Sequence, residues 1–206
     1  MTAIVDYGVG NLFSLKSSLA AIGEDVLVTG DASALEKAER IILPGVGAVE
    51  DAAAKLRDSG LAETVATQAA AGKPLLGICL GMQLLFEKSY EYGVHEGLGL
   101  IPGEVRPISD VIPPELKIPH IGWNALDFCG VTPLFRHIRD GEFVYFVHSY
   151  YAVTEKDFVI ATAEYGAPLT AAVQRGNVFG CQFHPEKSGN VGLNILRAFC
   201  EDGGNT

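Results

Sequence analysis

Residues 74–87 read PLLGICLGMQLLFE. The first half is an apolar run of strand length closing at Cys79, and the second half resumes with helical spacing. A glycine stands on either side of the cysteine, at 77 and 81. A thiol on a strand-to-helix turn between two glycines predicts a nucleophile elbow, because the glycines relieve crowding at the bend and the sulfur stands clear of the backbone. The N-terminus of the following helix is expected to favour thiolate through its partial positive charge. A buried structural cysteine is the ordinary alternative. The two glycines and the strand-end position speak against it.

Upstream, the chain alternates strand-like and helix-like segments: AIVDY (3–7), NLFSLKSSLAAIG (11–23), DVLVTG (25–30), RIILPG (40–45), then two Ala-rich helices over 48–71. This alternation implies a parallel sheet covered on both faces. In the first helix Asn11 is placed to cap the N-terminus, Leu12, Leu15, Leu19 and Ile22 form an apolar stripe, and Gly23 is the stop. After Glu87 the texture changes to short β-like runs divided by Gly and Pro: 97–108, HIGWNALDF (120–128), FVYFVHSYYAV (143–153), FVIATAEYG (158–166) and LTAAVQRGNVFGCQF (169–183). These predict antiparallel hairpins extending the sheet. GLNILRAFC (192–200) closes the chain as a helix with Leu193, Leu196 and Phe199 on one face. The fold class expected is α/β, an open, mostly parallel sheet flanked by helices with an antiparallel extension. No repeat or low-complexity linker interrupts it, so one unit over 1–206 is expected.

Bulk properties narrow the function. With 206 residues, 48% of them hydrophobic, the chain is long enough for one large core. A formal charge of -10 argues against nucleic acid and anionic membranes as partners, since both are bound through clustered Lys and Arg. No apolar run approaches the roughly 20 residues of a membrane span. MTAIVDYG has neither a basic segment nor a cleavage site, so a cytoplasmic protein is expected. Cys79, Cys129, Cys181 and Cys200 are widely spaced, without CxxC or histidines at ligand spacing, so neither disulfides nor a metal site are expected.

In an open α/β sheet, ligands gather at the carboxyl ends of the strands. PGVG (44–47), Cys79 and HPEK (184–187) all fall at such ends. A thiol nucleophile needs a base and an orienter for that base. His184 ends a strand and Glu186 lies two residues on, with Pro185 stiffening the turn between them. Spacing alone leaves open a surface turn with no catalytic partner, because it cannot show that His184 reaches Cys79.

GICLGMQLL (77–85) together with FHPEKS (183–188) resembles the class I (triad) glutamine amidotransferases, which split glutamine and hand ammonia to a second active site. Within that group, DYGVGNL (6–12), LPGVG (43–47), PHIGWN (119–124) and YFVHSYYA (145–152) are similar to the glutaminase subunits of imidazole glycerol phosphate synthases. The motifs run along nearly the whole chain. PHIGWN and YFVHSYYA discriminate against the related glutaminases of pyridoxal phosphate, anthranilate or aminodeoxychorismate synthesis. An intact Cys79, His184 and Glu186 speak against a catalytically inert, partner-binding relative.

The resemblance implies a flavodoxin-like fold and a Cys79, His184, Glu186 triad working through a γ-glutamyl thioester, with glutamine as substrate and no cofactor. It implies an oxyanion hole made by the N–H of Leu80 and the segment around Val46 and Gly47. Substrate contacts carry over as Gly47, Gln83, His148, Ser149 and Tyr150, of which Gln83 is four residues beyond Cys79 and shares its helix face. His148 could equally be a satisfied core histidine. The implied partner is a (β/α)8-barrel cyclase, in a heterodimer contacted through Trp123, Lys187 and Asn11. Trp123 could instead be a core aromatic and Asn11 simply the helix cap. His95, His120 and His137 receive no role.

Overall fold

Four short apolar strands set the architecture: β1 (Thr2–Val5), β2 (Val26–Thr29), β3 (Arg40–Leu43) and β4 (Leu75–Ile78). In the computed structural model, which describes residues 1–201, they lie parallel in the order β2-β1-β3-β4. The last five residues of the unit expected over 1–206 lie outside the described residues. β14 (Val178–Cys181) joins in parallel beside β4 and completes the doubly wound order of flavodoxin-like sheets. Beyond it the sheet turns antiparallel through β13 (Pro168–Arg175), β12 (Val159–Glu164) and β9 (Asp127–Phe128).

The period-2 alternation of β1, β3 and β4 feeds two cores, while the edge strand β2 adds Val26 and Val28 to the second. Ala3, Val5, Ile41, Leu43 and Leu75 face one side, against Leu35 of α2 (Ala32–Lys37), Leu56 of α3 (Val49–Asp58) and Val65 of α4 (Leu61–Ala70). Ile4, Ile42, Leu76 and Ile78 face the other, against Leu15 and Leu19 of α1 (Leu12–Ala21) and Ile195, Leu196 and Phe199 of α6 (Gly189–Glu201). Burial on both faces is why these strands read as unbroken apolar runs. The first helix is built as expected. Asn11 accepts from the Ser14 N–H, and Gly23, at φ +84°, passes its own N–H to Ala20 O while Glu24 N–H reaches Leu19 O.

Four local expectations need correction. A short helix, α2, fills the gap between β2 and β3, capped by Asp31. The closing helix buries Gly192, Ile195, Leu196, Ala198 and Phe199, while Leu193 is only partly covered. Leu196 and Phe199 face inward as predicted, with Ile195 taking the place expected of Leu193. The helix after Cys79 is a single turn, α5 (Leu80–Gln83), because the carbonyls of Leu84, Leu85 and Phe86 accept N–H groups from residues 98–101 instead of from a further helical turn. Finally, FVYFVHSYYAV is not one strand. It breaks at Ser149 into β10 (Phe143–His148), which pairs with β8 (His120–Ala125), and β11 (Tyr150–Val153), which pairs with β7 (Glu104–Pro107) in a separate sheet completed by β5 (Lys88–Ser89) and β6 (His95–Glu96). The break turns residues 148–150 toward the carboxyl end of the parallel sheet.

Candidate active site

Cys79 takes φ +55° and ψ −111°, a conformation that side-chain-bearing residues rarely hold and that costs on the order of 1–3 kcal/mol. The surroundings over-determine it. The Cys79 N–H is held at 2.7 Å by Cys181 O of the neighbouring strand. A Cβ on Gly77 would come within 2.8 Å of the Gly81 carbonyl carbon, one on Gly45 within 2.9 Å of Gly81 N, and one on Gly81 would run into the Leu43 carbonyl. Small residues on three segments thus let β4 fold back sharply, which is the elbow expected from the sequence. With α5 only one turn long, the expected help from a helix dipole is small. What remains is the local pair of N–H groups at Leu80 and Gly81, which the first turn leaves without internal acceptors.

His184 and Glu186 lie across the same strand ends. His184 Nδ1 is 2.8 Å from Glu186 Oε1, and both side chains are almost wholly buried. The second carboxylate oxygen of Glu186 is buried without a partner, so its charge is directed at the imidazole. Burial works against a charged His184, but hydrogen bonds to Cys79 and Glu186, and the negative charge of both, outweigh it and hold its pKa at about 9. The turn carrying them is tied down by Ser188, whose hydroxyl donates to His184 O at 2.6 Å and accepts from Tyr145 N–H at 2.9 Å. On the opposite side the Tyr7 hydroxyl donates to Pro44 O at 2.7 Å. Burial and the neighbouring Cys79 charge push that hydroxyl well above its ordinary value.

A cleft of about 320 Å³ opens over these groups. It brings together Val46, Gly47, Cys79, Leu80, Gln83, His148, Ser149, Tyr150, His184 and Lys187. Gln83 Nε2 donates to Tyr150 O at 3.3 Å and to Gln182 Oε1 at 3.0 Å. His148 lines the cleft and is also a satisfied buried histidine, with Nδ1 2.8 Å from Tyr150 O and Nε2 3.0 Å from His120 Nδ1. Burial lowers its pKa to about 4 against the pull of the Tyr150 carbonyl, with the His120 and His184 charges adding to the fall. Burial lowers His120 as well, so both rings are neutral at neutral pH.

Asn11 and Trp123 stand outside the cleft. Asn11 caps α1, as its simpler reading had it. Trp123 is 55% exposed on β8, which excludes the core alternative, and contacts Tyr145 edge to face. Two groups on the cleft wall, Glu91 and Tyr92, went unnoticed in the sequence, as did Gln182 beside Cys79. Glu91 accepts the Val49 N–H at 2.6 Å. His137 pairs with Glu201, and His95 keeps a buried Nε2 without a partner. Among the described residues no group of three or more His, Cys, Asp or Glu side chains is arranged to hold a metal ion.

A thiol in a strained elbow, a buried imidazole and a buried carboxylate constitute the parts of nucleophilic acyl transfer. Comparison with known proteins agrees. The family model described as glutamine amidotransferase class-I matches residues 3–202. A protein of Caldanaerobacter subterraneus subsp. tengcongensis named imidazole glycerol phosphate synthase subunit HisH is 50% identical over 202 residues, covering 98% of each chain. One of the same name from Listeria monocytogenes is 46% identical over 201 residues, covering 98% of this chain and 95% of its own. Among solved structures, a glutamine amidotransferase superposes with a TM-score of 0.75 over 97% of both chains at 20% identity, a likeness of fold.

Proposed function

The chain belongs to the class I glutamine amidotransferases, and from that premise we propose that its cleft is the glutaminase site of an imidazole glycerol phosphate synthase. The observation that carries this reading is the convergence of Cys79, His184 and Glu186 at one end of the parallel sheet, in a chain matched over nearly its whole length to HisH subunits.

The chemistry follows from the geometry. His184 accepts the Cys79 proton, and the thiolate attacks the side-chain amide carbon of glutamine, forming a C–S bond while the carbonyl π electrons move onto oxygen. The oxyanion is held by the N–H of Leu80 and by the peptide around Val46 and Gly47. Collapse breaks the C–N bond, and His184 delivers its proton to the departing ammonia. Water then attacks the thioester with His184 as base, giving glutamate and the free thiol. Glu186, 2.8 Å from His184 Nδ1, orients the imidazole and steadies the imidazolium. Gly47, Gln83, His148, Ser149 and Tyr150 grip the α-amino and α-carboxylate end of the substrate. Glu91 adds to that wall the negative charge that suits an α-ammonium.

Ammonia passes to a (β/α)8-barrel cyclase, which combines it with a phosphoribulosyl aminoimidazole carboxamide to form imidazole glycerol phosphate and AICAR. The two subunits form a heterodimer through the rim that carries Asn11, Trp123 and Lys187. The elements that carry them are linked by packing, α1 on the turn Pro185–Lys187 and that turn on β10, whose Tyr145 pairs with Trp123, and this supports a common surface. A cytoplasmic site of action goes with this biosynthetic role. No helix among the described residues is long and apolar enough to cross a membrane.

The test is to mix the purified chain with a barrel cyclase and follow glutamate release with and without the acceptor. Release is expected to depend on both. Cys79→Ala is expected to abolish glutamine-dependent synthesis and to spare synthesis from added ammonia. Full glutaminase activity in that variant would overturn the thiol mechanism.

A further inference from the structure

Gln182 leaves the sheet beside the nucleophile. β14 runs parallel to β4 with Cys181 paired to Ile78, so the next residues, Gln182 and Cys79, emerge side by side. The Gln182 side chain is fully buried. A buried amide without partners costs on the order of 1–3 kcal/mol, and here both ends of the amide are engaged. Oε1 lies 3.0 Å from Gln83 Nε2, and Nε2 lies 3.8 Å from Cys79 Sγ.

The polarity of this chain of contacts is fixed by one atom, the carbonyl oxygen of Tyr150, which can only accept. The end of the Gln83 side chain that faces it must therefore be the NH2 group. The same NH2 group faces Gln182, which must answer with its oxygen. The Gln182 nitrogen is then turned toward Cys79 Sγ as a donor. Both hydrogens of the Gln83 amide are used, so its oxygen is the atom left for the cleft it lines.

We infer that Gln182 is a positioning residue that presents a fixed N–H donor to the Cys79 sulfur and, through the other end of the same amide, locks Gln83 with its oxygen free for substrate. A donor aimed at sulfur stabilises thiolate over thiol, because the anion is the better acceptor. It does so beside the other groups that face Cys79: His184 with Glu186 behind it, the Tyr7 hydroxyl, neutral His148, and Glu91 and Lys187 on the cleft walls. The inference rests on Cys79 being the nucleophile of the proposed glutaminase.

The experiment measures iodoacetamide alkylation of the full chain as a function of pH, quantified on the Cys79 peptide by mass spectrometry, alongside glutaminase kinetics in the presence of the barrel cyclase. Gln182→Met keeps bulk and removes the donor. The alkylation midpoint is expected to rise by about one pH unit, with kcat lowered and KM raised together. Gln182→Glu retains an acceptor for Gln83 and places a carboxylate by the sulfur, so its midpoint rises further. It carries the test if thermal melting shows that Gln182→Met does not fold. Gln83→Met, which takes away the donor that holds the Gln182 oxygen, is expected to raise KM and to shift the midpoint by less than Gln182→Met does. Unmoved midpoints in both Gln182 variants, with Cys79→Ala inactive, overturn this inference alone. Activity retained by Cys79→Ala would instead overturn the glutaminase reading beneath it.

Discussion

The two walls of the cleft are built in opposite ways. On one, the elbow at Cys79 is wedged among Gly45, Gly77 and Gly81, where no further carbon atom fits. On the other, Val46 and Gly47, which follow the buried Pro44 and Gly45, are open: Val46 is 41% exposed, and Gly47, at φ +94°, has no atom within 4 Å of where a Cβ would stand. The proposed nucleophile, Cys79, is held by packing, whereas the peptide proposed to complete the oxyanion hole, at Val46 and Gly47, has no such packing around it. A site arranged in this way keeps its nucleophile ready and can be completed by an event elsewhere, such as a partner docking on the rim.

Adding one methyl group to each wall breaks the comparison most sharply. Gly81→Ala drives a Cβ into the Leu43 carbonyl, with backbone on both sides and no side chain to yield. It is expected to cost about 3 kcal/mol or more and to remove activity with the elbow. Gly47→Ala meets no atom and bears only the left-handed backbone penalty, about 1 kcal/mol. It should fold, bind glutamine and lose the response to partner and acceptor. Denaturant melts of both variants, with glutaminase assays in the complex, check the pair. Equal destabilisation would mean that the two walls are not differently built.

The next effect concerns the charge behind the imidazole. With its pKa held at about 9, against an ordinary value of 6.5, His184 favours its protonated form in the folded chain. The sign follows: this stabilisation is fully present below about pH 6.5 and is lost as pH rises toward about 9. Glu186→Gln removes the buried carboxylate, so the alkaline limb of glutaminase activity should move to lower pH and turnover fall on the order of a hundredfold. A pH–rate profile in the complex measures both. An unshifted alkaline limb would show that Glu186 does not set the histidine's charge.

The packed wall was the more legible in sequence, for a physical reason. A Gly-Cys-Gly bend at the end of an apolar run is a local pattern, and so are the both-face-buried strands β3 and β4, since apolar periodicity reports burial directly. His184 and Glu186 were visible as a turn, but their approach to Cys79 depends on β14 lying next to β4, a pairing between residues a hundred positions apart. The family resemblance supplied that adjacency, along with Gln83, residues 148–150 and Trp123. Gln182 and Glu91 gave no local signal. Gln182 follows a strand as any buried residue could, and Glu91 sits in an irregular stretch. The single turn of α5 was overestimated because an apolar segment after a bend looks the same whether it continues as a helix or folds inward. The split at Ser149 was hidden because both strands share one apolar texture, and only their partners differ.

The smallest effects lie on the rim, where the open wall meets the proposed partner. Trp123 projects from β8 with more than half its surface open, and neighbouring Ile121 and the nearby Ile118 are also exposed, while Lys187 stands at the lip of the cleft directly after Glu186. An aromatic anchor that becomes desolvated on docking is worth about 2 kcal/mol, or roughly thirtyfold in affinity, whereas a solvated rim cation contributes under about 1 kcal/mol. Trp123→Ala should therefore dominate the loss of affinity for the barrel. Lys187→Ala should leave affinity nearly unchanged and instead raise the ratio of glutamate released to imidazole glycerol phosphate formed, since it lies in the turn that also carries Glu186. Neither change should alter glutamine binding by the separate chain, because the Cys79 wall is packed independently of both. Calorimetric titration against the barrel, paired with the product ratio, separates the two roles. Native affinity and a one-to-one ratio in both variants would place the docking surface on another face.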